Sequence, residues 1–413
     1  RLVISRKPSA DSSITRAKAA TTNRAGPRAA TGVRRPEGSE STSMGSPTGP
    51  SGAGASPGGS AADAKGTSVN GGAAGKSSGR SVAGGGGGSV VGGDVTTNGL
   101  GASGIVASGF GDVYVSVDDV STNGGALLYY DGPAYTTYYA SAGIDASVTG
   151  GDVTVIADTV TTQGYGAAGI VASGFAYYDS VATTYYGDTT VSVNAVNTNG
   201  DLATNYGGNT TVTAGSVTTF GEGSDGIIAV AGGYYDSAGV QTLYGDATVN
   251  ATSVTTYGDN AYGVVAVTAG GDVFVNVDNV STYGEGSIGI YAAAFNYYDS
   301  SLGAEQNLHG DIFVDAGSVY TGGDFATGIY GYAEGGTVNI TADSVVTTSD
   351  FATGISGVAA YYGIDPVLLT YYSGDVNITA GSVATYGDFS DGINAYAEGG
   401  NVRIYAGSVY TGG

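Results

Sequence analysis

Residues 374 to 399 read GDVNITAGSVATYGDFSDGINAYAEG, and Gly400 begins the same pattern again. Val376, Ile378 and Ala380 alternate with Asn377 and Thr379, the period of two that marks a strand with one face turned inward. A second short strand follows at Ser382-Val383-Ala384-Thr385 and a third at Gly392-Ile393-Asn394-Ala395, with Gly and Asp between them. No window of the unit has helical spacing or a helix-forming composition.

The unit recurs. Gly-Asp-Val or a close variant starts at Gly111, Gly151, Gly187, Gly208, Gly245, Gly271, Gly310, Gly336, Gly374 and Gly400, after one degraded copy near Gly93. The steps from Gly245, Gly310 and Gly374 to the next start are each 26 residues. Three short strands per unit, with small inward residues, predict one coil of a right-handed parallel β-helix. One coil buries too few Val, Ile and Ala side chains to offset the entropy of ordering it, so only stacking makes the unit viable. Eleven coils at about 4.8 Å each give a rod on the order of 50 Å long. A propeller or sandwich would need hairpin turns at shorter spacing and ranks behind.

Charge separates the chain into two regions. Twelve of its 13 Lys and Arg fall in residues 1–92 beside four acids, whereas residues 93–413 hold 32 acids and a single base, Arg403. The first region therefore carries +8 and the second −31. An acidic body of this kind repels phosphate backbones and anionic lipid, which excludes nucleic acid as its partner. Residues 1–87 are rich in Ser, Ala, Gly, Pro and Arg, contain no Tyr, and read as a disordered basic segment. A tail that grips an anionic surface and a GC-rich repeat read in another frame are the other readings of that segment. Residues 88–413 form the repeat region. The chain has no Cys, so disulfides and thiolate metal sites are absent. No apolar run reaches the roughly 18 residues of a membrane-spanning helix. The chain opens with Arg1 and stops inside a repeat at SVYTGG, so both ends read as cuts through a longer protein.

The pattern GDVxVxAxSVxTxGxxAxGIxA, as it stands in Gly374 to Gly399, resembles the Gly/Thr/Val-rich repeat of autotransporter passenger regions, the secreted β-helical part of type V secretion proteins of Gram-negative bacteria. The resemblance covers residues 88–413, and other bacterial surface adhesins share its style. It implies an N-terminal export signal and a C-terminal outer-membrane β-barrel outside this sequence, and hence a membrane link only through that missing translocator. It also implies an extracellular or cell-surface location and a non-enzymatic role in adhesion or surface structure. The partner would be a protein or glycan of a host or neighbouring cell. The alternative is a β-helical carbohydrate-active enzyme or phage tail-spike-like protein with its active residues outside the fragment.

Chemistry of its own is not expected of the repeat region, and no cofactor is implied. Residues 93–413 contain no Lys to neutralise a developing charge. His309, in QNLHGD, stands where TTYYGD and QTLYGD have Tyr186 and Tyr244, so it replaces an aromatic at a loop exit. Arg403 takes the outward position of Asn377 and Thr154, a solvated face. Asp118 and Asp119 are adjacent on a strand and are expected on opposite faces. The coil-start acids Asp112, Asp152, Asp188, Asp246, Asp272, Asp311 and Asp375 share one repeat position with Asn209, Thr337 and Asn401. Stacked carboxylates invite a cation ladder, for which Asp246, Asp272 and Asp311 are the candidates. Substitution by Asn and Thr instead favours acids that cap backbone N–H groups in their own turns.

The tyrosines concentrate in five insertions of about a dozen residues, LLYYDGPAYTTYYA, AYYDSVATTYYGD, GYYDSAGVQTLYGD, NYYDSSLGAEQNLHGD and YYGIDPVLLTYYSGD. Candidate contact residues are Tyr129, Tyr130, Tyr177, Tyr178, Tyr185, Tyr186, Tyr234, Tyr235, Tyr297, Tyr298, Tyr361, Tyr362, Tyr371 and Tyr372. Insertions two coils apart are expected to leave one side of the rod about 10 Å from each other. Paired tyrosines can zip each insertion into a short hairpin. They can also offer large, rigid contact area to a partner, and the two roles are compatible.

Overall fold

The computed structural model describes residues 80–84, 88–98, 102–123, 127–131, 135–139, 142–163, 167–175, 177–178, 184–185, 187–198, 208–232, 245–298, 307–360 and 374–412. The expected disorder of residues 1–87 therefore lies outside the described residues, apart from a strand Arg80–Gly84 that pairs parallel to Ile105–Phe110. All described regular structure is β.

Two faces of the repeat unit build two parallel sheets. The larger one starts with Gly88–Val91 and Val95–Thr97 and then takes one ten-residue strand from each coil, Val113–Thr122, Val153–Thr162, Thr189–Thr198, Thr210–Thr219, Ala247–Thr256, Val273–Thr282, Ile312–Thr321, Val338–Thr347, Val376–Thr385 and Val402–Thr411. The Gly-Ile-x-Ala strands form the second sheet in two runs. One joins Arg80–Gly84, Ile105–Phe110, Ala142–Thr149 and Ala168–Phe175; the other runs from Ile227–Ala231 to Asp391–Ala397. Between the runs stands the coil that starts at Gly187, only 21 residues before the next start. Strand follows strand in coil order with like residues in register, for example Val273 beside Ile312, Val275 beside Val314 and Val280 beside Val319. This is the parallel β-helix that the repeat predicts.

The unit has two ladders where the sequence suggests three strands. In Val153–Thr162 the residues facing in are Val153, Val155 and Ala157, then Val160 and Thr162. Asp158 and Thr159 both face out, so the chain turns a corner without leaving its ladder. The same slip of phase puts both Asp118 and Asp119 outside, so the expectation of opposite faces fails at this bend. Gly92-Gly93-Asp94 is not a coil start either. Gly88 pairs with Val113 and Val95 with Val120, which places the triplet at that corner of the first coil.

Val, Ile and Ala fill the interior, and every ten-residue strand except the last, Val402–Thr411, ends in a buried Thr, such as Thr219, Thr256 and Thr282. A buried hydroxyl without a partner is costly, and the row is mixed: Thr122, Thr321, Thr347 and Thr385 have none for their Oγ1. Thr219 and Thr256 each donate to a carbonyl five residues on, that of Ser224 at 2.8 Å and of Ala261 at 2.9 Å. The bond closes the turn that leads into the second sheet.

Glycine at the coil start follows from how closely the coils stack. A Cβ on Gly336 would run into the carbonyl oxygen of Gly310, and one on Gly374 into that of Gly336. The obstacle is backbone of the coil below, which cannot swing aside. Gly336→Ala is therefore expected to cost about 1–3 kcal/mol in urea unfolding, the range of overpacking. At Gly232 an added methyl meets nothing within 4 Å, and Gly232→Ala should leave stability within about 0.5 kcal/mol.

Candidate functional site

With the interior filled by side chains, groups available for chemistry or recognition sit on the flanks. Three flank features stand out: the ladder of coil-start acids, the feet of the insertions, and columns of aromatic rings.

The coil-start acids bond upward, from one coil to the next. Asp272 N–H donates to Asp246 Oδ1 at 2.8 Å, Asp311 N–H to Asp272 Oδ1 at 2.8 Å, and Thr337 N–H to Asp311 Oδ1 at 2.7 Å. Asn209 serves as well, because its Oδ1 accepts the N–H of Asp246 at 2.9 Å. The expectation of capping within the same turn is thus corrected to capping of the following coil. The reason is the register, which brings each start N–H over the carboxylate below. No group of three or more His, Cys, Asp or Glu side chains arranged to hold a metal occurs among the described residues. In the middle of the ladder burial pushes the Asp272 carboxyl above its ordinary pKa; the Asp311 N–H opposes this, and the charges of Asp246 and Asp311 add to it. At the upper end Asp375 is held low, first by the N–H of Asn401 and then by Arg403, whose Nη1 lies 2.6 Å from Oδ2.

The insertions leave from two corners. Four follow a second-sheet strand, after Phe175, Ala231, Phe295 and Ala360, whereas the first lies between Val113–Thr122 and Ala142–Thr149. The expectation of a single side therefore holds for four. Where described, the insertions are antiparallel pairs. Tyr129 and Tyr130 lie in Leu127–Asp131, paired with Tyr135–Tyr139; Tyr177 and Tyr178 pair with Thr184–Tyr185; Tyr297 and Tyr298 pair with Asn307–Leu308. Tyr186, Tyr234, Tyr235, Tyr361, Tyr362, Tyr371 and Tyr372 lie outside the described residues.

One residue that the sequence does not flag, Glu334, holds the outgoing foot of the fourth insertion. The Glu334 carboxylate accepts the N–H of Asn296 at 3.1 Å, and the next residue of its strand end, Gly335, lies against the imidazole of His309 at the other foot. Glu334 belongs to the coil above, which closes without an insertion through Gly335 at φ 80°. A Cβ at Gly335 would strike the His309 ring, and burial lowers the imidazole's pKa. The other oxygen of Glu334 accepts the Tyr332 hydroxyl at 3.0 Å. Burial and that bond push the phenol up to about 12.

Aromatic rings stack from coil to coil at the corner after the long strand. Phe220, Tyr257 and Tyr283 lie 5.2 and 5.1 Å apart, nearly parallel. A second column, Phe325, Phe351 and Phe389, has spacings of 5.0 and 5.2 Å. These three phenylalanines have φ of 58°, 56° and 57°, a left-handed backbone that costs a residue with a Cβ about 1–2 kcal/mol. Other coils place Gly223, Gly286 or Asn260 there, also at positive φ. The signal in the sequence is the change from Gly-Glu-Gly to Gly-Asp-Phe or Ser-Asp-Phe in three successive coils.

Comparison of the chain with family models, with curated proteins and with solved structures finds no match.

The ladder yields a prediction with a definite sign. A carboxyl whose folded pKa is raised costs stability while ionised and regains it as pH falls through that raised value. Asp272→Asn keeps the acceptor oxygen and removes the charge, as Asn209 does two coils below. It should raise Tm at neutral pH by about 1–2 °C and shrink the gain of stability seen on mild acidification. Added calcium should leave both proteins' melting unchanged.

Proposed function

We propose that residues 88–413 are the β-helical passenger of an autotransporter-type bacterial surface protein, displayed outside the cell and acting in adhesion without catalysis. The observation that carries this reading is the repeat itself: a stack whose inside is closed by Val, Ile, Ala and Thr and whose variation lies in loops leaving its flank. Coils that bond mainly to their neighbours can fold one after another, which suits a chain that crosses a membrane unfolded and orders itself outside. A Cys-free sequence lets that crossing proceed without disulfides. The tyrosine-rich insertions supply the contact face in this reading. A phenol offers broad area at little entropic cost, and Glu334 fixes where one of the hairpins stands.

The insertion-free coils supply the design of the test. Each closes through a short Gly-containing turn, as at Ala269-Gly270-Gly271. Replacing all five insertions with turns of this kind should keep the β spectrum and cost a few kcal/mol of the whole stack. Cells displaying the shortened chain should lose attachment to the surface that the full chain binds. Unfolding of the shortened chain would make the tyrosines scaffold, and undiminished attachment would remove them from the contact face.

A further inference from the structure

Residues 93–413 hold no Cys, Met or Trp. The side chains that oxidants attack first are therefore missing from the stack, and its phenols are the electron-rich groups that remain. Oxidised tyrosines couple only with a neighbour, so what matters is where exposed phenols of successive coils meet. They meet at the corner after the long strand. Tyr257 and Tyr283 are 50% and 47% exposed, with ring centroids 5.1 Å apart and planes within 7°. Tyr320 follows Tyr283 at 5.5 Å, tilted by 49°, but its hydroxyl is tied to Thr348 at 3.2 Å. Tyr386 and Tyr410 repeat the tilted arrangement at 5.4 Å and 48°. The other columns lack this combination. Phe274 with Phe313, and Phe325 with Phe351 and Phe389, carry no hydroxyl. Tyr291 and Tyr330 stack at 5.5 Å but are half-buried, and burial pushes both phenols above their ordinary pKa.

We propose that Tyr257 and Tyr283 are a site of oxidative coupling, where a separate peroxidase using hydrogen peroxide joins two coils through a dityrosine bond. Each phenol gives up one electron and its hydroxyl proton and becomes a phenoxyl radical. The unpaired electron spreads to the ortho ring carbons, and the two radicals form one carbon–carbon bond between Cε atoms. Each linked carbon then loses its hydrogen as a proton and each oxygen regains one, which restores both aromatic rings. One peroxide takes up the two electrons and two protons and leaves as two waters. Rings stacked face to face must first turn about their Cβ–Cγ bonds to bring their edges together. Both rings are exposed enough to turn, and Tyr320 shows that the column accepts a ring turned part of the way. Linked edge to edge, the centroids close only slightly from their present 5.1 Å. The bond would fasten the ends of Ala247–Thr256 and Val273–Thr282, neighbours in the large sheet. It concerns the stack alone and stands whatever the insertions bind.

The test treats the dilute full chain with horseradish peroxidase and limiting hydrogen peroxide, isolates the monomer by gel filtration, and maps its cross-linked fragments by mass spectrometry. The expected product is a monomer with dityrosine fluorescence, two hydrogens lighter for each bond, in which Tyr257 is joined to Tyr283 and whose Tm lies above that of the untreated chain. Tyr257→Phe and Tyr283→Phe should each keep the ring stack, as Phe220 does one coil below, and match the parent's Tm before treatment. Each should lose the Tyr257–Tyr283 fragment and the rise in Tm. Absence of that fragment from the oxidised monomer overturns the proposal, as does a linkage found only between chains. An oxidised parent that carries the bond and melts no higher than the untreated chain overturns its role as a fastening.

Discussion

Everything in this fold depends on one coil lying directly on the next with no residue of slip. A strand's side-chain period is two, so a shift by one residue would turn Val, Ile and Ala outward along a whole coil. Register is therefore enforced from several directions. Like residues pair across the large sheet, as Val338 does with Val376 and Ser344 with Ser382. The start glycines approach so closely that a single methyl would collide with the coil below. The Gly-Ile strands add a second tight contact: a Cβ on Gly263 would meet both Val280 of the following coil and the carbonyl of Gly289. These contacts work only in one alignment, and together they exclude the alternatives.

The same alignment governs the surface. When identical positions stack, any charge or ring placed outward becomes a column, for better or worse. Carboxylates one coil apart repel, and the start acids offset this by accepting the backbone N–H of the next coil, with Asn at two places in the row. On the outward face of the large sheet the Phe274 and Phe313 rings stack at 5.2 Å. Farther along the same row Asn377 Nδ2 donates to Asn339 Oδ1 at 3.0 Å, and Arg403 reaches Asn377 at 3.2 Å. Columns of this kind stabilise the stack and at the same time present a partner with a ruled surface. Phe325, Phe351 and Phe389 stack in the same way, here on a left-handed backbone that the ring contacts must offset.

The sequence showed the repeat, the period of each strand and the inward residues plainly, because Val376, Ile378 and Ala380 alternate in a way that only a half-buried strand explains. It did not show that Asp158 and Thr159 both face out. Strand alternation assumes a straight chain, and the bend inside a continuous ladder breaks that assumption, which also misplaced Asp119. The direction of the start carboxylates was hidden for a different reason: an Asp beside Gly in a turn has a local partner available, and only the coil spacing reveals the nearer N–H above it. His309 was legible as the replacement of an aromatic at a loop exit, but Glu334 escaped notice because it stands 38 positions from Asn296 and meets it only through stacking. The left-handed phenylalanines were visible as Asp-Phe in place of Glu-Gly, yet the sequence alone does not state which residue of that turn takes positive φ. Chain order gave the common corner of the four insertions that lie two coils apart, whereas the first, in the coil directly before the second, leaves from another corner that the expectation did not cover.

Stacking in this register is tested most directly by crosslinking, since the chain has no Cys of its own. Phe274 and Phe313 are in-register neighbours on the outer face, and adjacent strands about 4.8 Å apart lie within disulfide reach. Val314, the next residue along, is buried on the opposite face. A chain carrying Phe274→Cys with Phe313→Cys should form an intramolecular disulfide under mild oxidation, while Phe274→Cys with Val314→Cys should not. Crosslinking of the second pair in preference to the first, or of neither, would contradict the coil-on-coil register from which the rest of the structure follows.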